Sequence, residues 1–171
     1  MRAALAAAVL AGSALLLVPV HPAMLARAPG WVTMDVGGDR LLVPPNMAKR
    51  LRVVAARLEG RAPGSGDVLV APHWVTMYAV HRLRSPVWEI YGLFPRGPRF
   101  EAAEIARMEA AGVDLAIIQT HALDGRDALL YRNTHPLTWR WLQRRFRRVD
   151  SDAGVETWVR RDRVATAEAA R

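Results

Sequence analysis

The chain has 171 residues, no cysteine, and a formal net charge of +8 from 24 basic and 16 acidic side chains. Without cysteine there is no disulfide framework, thiol nucleophile, thiolate zinc site or lipidated cysteine. Of the basic residues only Lys49 is lysine, a skew that fits a GC-rich coding bias better than a surface built to grip phosphates, and with no groove-reading motif or interleaved aromatic row beside it no nucleic acid is expected as a partner.

Residues 3–20 run for 18 positions without a charge, about the minimum for a membrane-spanning helix and longer than the ~7–15 residues of a secretory apolar core. Residues 1–27 are therefore expected to be a transmembrane anchor, with a signal segment as the alternative. Ala26-Arg27-Ala28 has the spacing of a cleavage site, but Pro29 directly after it disfavours cleavage. The first acidic residue is Asp35, so a single charged, solvated domain is expected over residues 28–162 and a frayed tail over 163–171. Arg2 supplies a small positive-inside bias that places the domain on the extracytoplasmic side.

In the domain, residues 31–36 and 41–43 flank Gly37-Gly38 and read as a hairpin forming a small edge of the sheet. Pro44-Pro45-Asn46 opens a helix with Met47, Leu51, Val54, Ala55 and Leu58 on one face, ending at Gly60. After a Gly/Pro/Ser loop, residues 68–71 are short and continuously apolar, as in a strand buried on both faces. A helix is expected over 73–84, and residues 87–94 read equally as a short strand or an irregular loop. Residues 100–111 form the next helix, with Ile105 and Met108 inward and Glu101, Glu104 and Glu109 outward. Residues 113–120 are the clearest strand. A long loop over 121–136 holds a small helix near 127–131. Residues 137–149 are expected to be helical, with Trp139, Leu142, Phe146 and Val149 on one face. Residues 155–159 form the last strand.

This alternation predicts an α/β fold with three layers and a short, mainly parallel sheet, preceded by one transmembrane helix, with residues 68–71 and 113–118 as neighbouring central strands. GxGxxG, GxxxxGK[ST] and GxSxG are all missing, so the usual nucleotide and hydrolase turns are not expected. Among candidate ligands, His73, His81, His121 and His135 lie in or beside predicted turns and strand ends, but their spacing fits no metal motif and no metal is expected. Asp124 and Arg126 follow the best strand, where open α/β sheets place ligands; they either touch a phosphate or sugar hydroxyl or form a DG turn closed by an Arg–Asp pair. Arg140, Arg144, Arg145, Arg147 and Arg148 are the densest cationic cluster, with no acid between residues 137 and 149. Arg140, Arg144, Arg147 and Arg148 are candidates for lipid headgroups or a polyprenyl phosphate, the alternative being a solvated helix face.

The order LVAPHWVTMY (residues 69–78), RSPVWE (84–89), a Glu-rich helix, VDLAIIQTHALDGR (113–126), THPLTWRWLQRRFRRV (134–149) and ETWVRRD (156–162) resembles the soluble C-terminal domain of membrane glycosyltransferases of the GT-C class, relatives of protein O-mannosyltransferases and aminoarabinose transferases. The resemblance covers residues 41–162 plus an apolar helix where the family's last transmembrane helix would lie. It implies an extracytoplasmic location and a parent activity that transfers sugar from a polyprenyl-phosphate donor. In that family the catalytic acidic residue sits in an early loop between the first transmembrane helices, for which this chain has no counterpart, so no catalytic residue and no cofactor are carried over. The expectation is a non-catalytic, membrane-anchored domain, as fragment of a transferase or accessory to one, with lipid, donor or transferase as partner. The alternative is an independent secreted binding protein.

Overall fold

The computed structural model describes residues 30–163. The expected anchor at 3–20, the Ala26-Arg27-Ala28 triplet and the tail from 164 onward lie outside the described residues. Among the described residues no helix is long and apolar enough to cross a membrane.

Two glycines with positive φ, Gly37 and Gly38, join β1 (Val32–Val36) to β2 (Asp39–Val43), and the Asp35 carboxylate accepts the Gly38 N–H. Only a residue that tolerates the left-handed region makes such a two-residue turn without strain. The hairpin was expected as an edge of the main sheet; instead β1 and β2 pair only with each other. Helix α1 (Pro45–Leu58) follows, starting at proline, whose missing N–H costs nothing in the first turn. It buries Ala48, Val54 and Leu58.

The main sheet has four strands in the order β3 (Val68–Ala71), β4 (Leu115–Gln119), β6 (Val155–Arg160), β5 (Phe146–Asp152). The fold is α/β, but the sheet is mixed, which corrects the expectation of a mainly parallel one: β3 and β4 run parallel, while β6 is antiparallel to both neighbours. The reason is local. Ala153 and Gly154, both at positive φ, make a two-residue turn between Asp152 and Val155, and a turn that short joins strands only antiparallel. β4 is central; β3 pairs on one side only and is an edge in hydrogen bonding, although all four of its residues are buried. Its open edge is covered by Tyr78 of the short helix α2 (Thr76–Val80), whose hydroxyl accepts the Val70 N–H at 2.8 Å. Burial pushes the Tyr78 phenol up to about 12, so this cover stays protonated. At the start of the parallel pair Arg61 Nη1 bridges Asp67 (2.5 Å) and Asp114 (2.6 Å), the residues just before β3 and β4, and so fixes their register.

Alternate strand residues feed two buried clusters. Val68, Val70, Leu115, Ile117 and Val155 pack with Val54 and Leu58 of α1 and with Met77 and Tyr78 of α2. Leu69, Ala71, Ala116, Ile118 and Trp158 pack with Met108 of α3 (Pro98–Ala110) and with Trp141 and Leu142 of α5 (Pro136–Arg145). Between β4 and α5 lie two 3-10 turns, Leu123–Gly125 and Asp127–Leu129, and a single-turn helix α4 (Tyr131–Thr134).

Two helices differ in extent from those expected. The helix over 73–84 shrinks to α2, while residues 87–94 take the irregular-loop reading of the two left open. The helix over 137–149 stops at Arg145 and the chain continues as β5. Phe146 fits the helical stripe of Trp139 and Leu142, but the Ala153-Gly154 turn aligns residues 146–152 with β6, and the ladder outweighs local helical preference. Val149 was expected on the buried stripe; it is the extra residue of a bulge between Arg148 and Asp150, and is exposed.

Candidate functional site

At the C-terminal ends of β3 and β4, where a parallel pair ordinarily presents its ligand-contacting groups, the segments carrying His73, Tyr91 and His121 come together. The Gln119 side-chain carbonyl at the end of β4 accepts the His73 N–H at 3.0 Å. The His73 ring lies 5.6 Å from that of His121 and 6.1 Å from that of Tyr91. Both His73 ring nitrogens and the Gln119 amide nitrogen are buried without a hydrogen-bond partner. Burial lowers the His73 pKa, and the nearby His121 lowers it further, so the pair is neutral at pH 7.

On the α3 side of the sheet two small cavities meet at Tyr131. The first, about 20 Å³, is lined by Glu89, Gly92, Glu104, Tyr131, His135 and Thr138, and has room for about one water. The second, about 90 Å³, lies between Gln119, Thr120, Arg132, Trp139 and Glu156. His135 stacks on Tyr131 at 4.9 Å, its Nδ1 is 2.9 Å from Thr134 Oγ1, and its Nε2 is 4.0 Å from Glu89. Burial lowers the His135 pKa despite Glu101 and Glu89, so the contact with Glu89 is not an ion pair at neutral pH. Glu89 belongs to Arg96, which donates two hydrogen bonds at 2.8 and 2.6 Å and holds that carboxyl below the usual range. Tyr131 is buried, and desolvation raises its pKa far above the usual phenol value.

The three glutamates of α3, expected outward, are the joints of this side. Glu101 is 2% exposed and its Oε2 accepts the N–H groups of Leu137 and Thr138, both at 2.9 Å. Helix α5 has no capping side chain of its own, so Glu101 caps it from a neighbouring helix and places a negative charge at its positive end. Glu104 accepts the Trp88 N–H at 2.7 Å and pairs with Arg107, whose guanidinium lies 4.7 Å over the Trp88 ring. Glu109 accepts from Trp141 Nε1 and Arg160, each at 2.7 Å. Burial opposes its charge, and those two donors with Arg145 outweigh it and keep the carboxyl below its usual range. The pattern contains the signal for two of them: positions 101, 104, 105 and 108 have the i, i+3, i+4, i+7 spacing of one face.

The residues expected at a site do not converge. Asp124 (φ 53) and Arg126 are exposed at the Leu123–Gly125 turn, which closes through Arg126 N–H to the Leu123 carbonyl at 3.2 Å. The arginine cluster divides between two elements instead of sharing one helix: Arg140, Arg144 and Arg145 are on α5, Arg147 and Arg148 on β5. All five are exposed, with Arg145 paired to Glu109 and Arg148 to Glu156. His73 and His121 come together, His135 sits in the first cavity, and His81 ends α2. Among the described residues no group of three or more His, Asp or Glu side chains is arranged to hold a metal ion. No family model, curated protein or solved structure matches the chain.

Proposed function

We propose that this chain is a membrane-held domain of the GT-C glycosyltransferase type that does not transfer sugar by itself and that serves a transferase or its polyprenyl-phosphate donor. In this reading residues 1–27 anchor it, the domain faces the extracytoplasmic side, and the two helix groups are the outer layers of a three-layer α/β sandwich. Arg140, Arg144, Arg147 and Arg148 supply the positive surface for a lipid phosphate, with Asp124 and Arg126 at a neighbouring loop.

The observation that supports the non-catalytic reading is the engagement of the acidic side chains around the cavities. Glu89 is held by Arg96, Glu101 by the start of α5, Glu104 by the Trp88 N–H and Glu156 by Arg148 and Trp158. A general acid or base needs a carboxyl free to meet its substrate, and these act as structural acceptors. Cavities of about 20 and 90 Å³ also favour recognition on the outer surface over an enclosed sugar site.

The test is transfer from a polyprenyl-phosphate sugar to an acceptor by the purified full chain in detergent. No turnover is expected, and turnover by a preparation free of other transferases overturns the proposal. In the same preparation, polyprenyl phosphate in neutral carrier vesicles is expected to bind, and to bind less when Arg140, Arg144, Arg147 and Arg148 are all replaced by Gln.

A further inference from the structure

Residues 87–94 display large apolar side chains to solvent: Trp88 is 74% exposed, Phe94 60%, Tyr91 46% and Ile90 45%. The display is built, not slack. Val87, Gly92 and Leu93 turn inward, and Leu93 is 5% exposed. Gly92 lies so close to His135 and Tyr131 that a Cβ there would come within 3.2 Å of the imidazole. The Trp88 N–H is held by buried Glu104, Ser85 Oγ donates to the Val87 carbonyl, and Arg107 covers one face of the Trp88 ring.

The charge left over around the patch is basic. Between Ser85 and Phe100 the sole acid, Glu89, is neutralised by Arg96, and Glu104 beneath Trp88 is paired with Arg107, leaving Arg99 as the local charge. Trp and Tyr with neighbouring arginines is the chemistry of a membrane–water interface: the rings occupy the headgroup layer while the guanidinium groups meet anionic phosphates. An apolar patch with a cationic edge at Arg99 is complementary to an anionic bilayer, whereas water alone leaves four large side chains unburied.

We propose that residues 87–94 rest in the headgroup region of an anionic bilayer, with Trp88, Ile90, Tyr91 and Phe94 inserted and Arg99 against lipid phosphates. The inference rests on the membrane-held reading and adds to it an orientation: the α3 side of the sheet turns toward the lipid and the α1 side away. It also places the cavity at Glu89 and His135, whose wall includes Gly92, at the lipid surface.

The absence of cysteine lets one engineered thiol report one position. The full chain carrying Ile90→Cys, Phe94→Cys or, as a control on the exposed face of α1, Arg52→Cys is spin-labelled and reconstituted into phosphatidylcholine vesicles containing phosphatidylglycerol, and collisions with oxygen and with a water-soluble nickel chelate are compared. Labels at 90 and 94 are expected to favour oxygen several-fold relative to the label at 52. Labels at 90 and 94 as open to nickel as that at 52, on protein that floats with the vesicles, overturn the insertion while leaving the anchor intact. Protein that fails to float overturns the membrane-held reading itself. Labels that stay aqueous in vesicles and become shielded only when other envelope proteins are added assign the patch to a protein partner, and also overturn the proposal.

Discussion

The two sides of the main sheet are built by different rules. On the α1 side the buried contacts are almost wholly apolar, Val54 and Leu58 against Val68, Val70, Leu115 and Ile117, and charges stay at the rim, where Lys49 meets Asp152 and Arg57 meets Asp150. On the α3 side a comparable apolar cluster is crossed by carboxylates: Glu101 caps α5, Glu104 holds the Trp88 loop and Glu109 links α3 to Trp141 and Arg160. The first side follows largely from hydropathy, with the Tyr78–Val70 hydrogen bond as a buried polar contact. The second uses charge as a positioning device, and it is the side that carries the cavities, His135 and the displayed aromatic loop.

The contrast is broken most directly at Glu101. Replacing it with Ala removes the acceptor for two N–H groups at the start of α5 and is expected to cost about 3 kcal/mol in urea unfolding. Glu101→Gln, which keeps one acceptor oxygen without the charge, should cost roughly half of that. A loss under about 0.5 kcal/mol for Glu101→Ala would mean that the carboxylate behaves as a surface group and that the two sides do not differ.

Trp141→Phe deletes the Nε1–H donor to Glu109 and also trims the buried indole to a phenyl ring. A loss of about 1.5 kcal/mol is expected, with Arg160 and Arg145 still holding Glu109. Combined with Glu109→Gln, the two changes should cost less than their sum if they act through one joint.

A smaller effect is expected from pH. Burial holds the pKa of His135, and likewise those of His73, His81 and His121, below the ordinary imidazole value. Above about pH 6.5 both folded and unfolded chains carry these rings neutral. As the pH falls below that, the unfolded chain binds protons that the folded chain resists, so stability declines toward the lower folded pKa values. His135→Asn should flatten the decline in urea midpoints between neutral and mildly acidic pH, and an unchanged slope would remove His135 from the account.

The smallest effect belongs to the rim of the α1 side. Lys49 and Asp152 are both well exposed although 2.7 Å apart, so Lys49→Gln should change stability by less than about 0.5 kcal/mol. A larger loss would make this rim pair a joint between α1 and β5 instead of a surface contact.

What the sequence made legible follows the same division. The continuous apolar runs of β3 and β4, and the Gly37-Gly38 turn, carry their structure in local pattern, and the structure places them accordingly. The limit of α5 was not legible, because Phe146 satisfies both the helical stripe and the strand that the Ala153-Gly154 turn aligns. The glutamates of α3 were misread because a carboxylate in a helix reads as solvent-facing unless the N–H groups it meets are known, and those belong to residues 88, 137 and 138. The same holds for the candidate site. His73 and His121 are 48 positions apart, and only the parallel pairing of β3 and β4 brings them together. Asp124 and Arg126, adjacent in sequence, end on an exposed turn.

The membrane-held reading is tested most directly by fractionating cells that produce the full chain, washing the membranes with alkaline carbonate, and treating cells with a permeable outer envelope with protease. The account predicts that the chain remains in the washed membranes and that its domain is digested from outside. A chain recovered wholly in the soluble fraction, or a domain fully protected from protease, would contradict it.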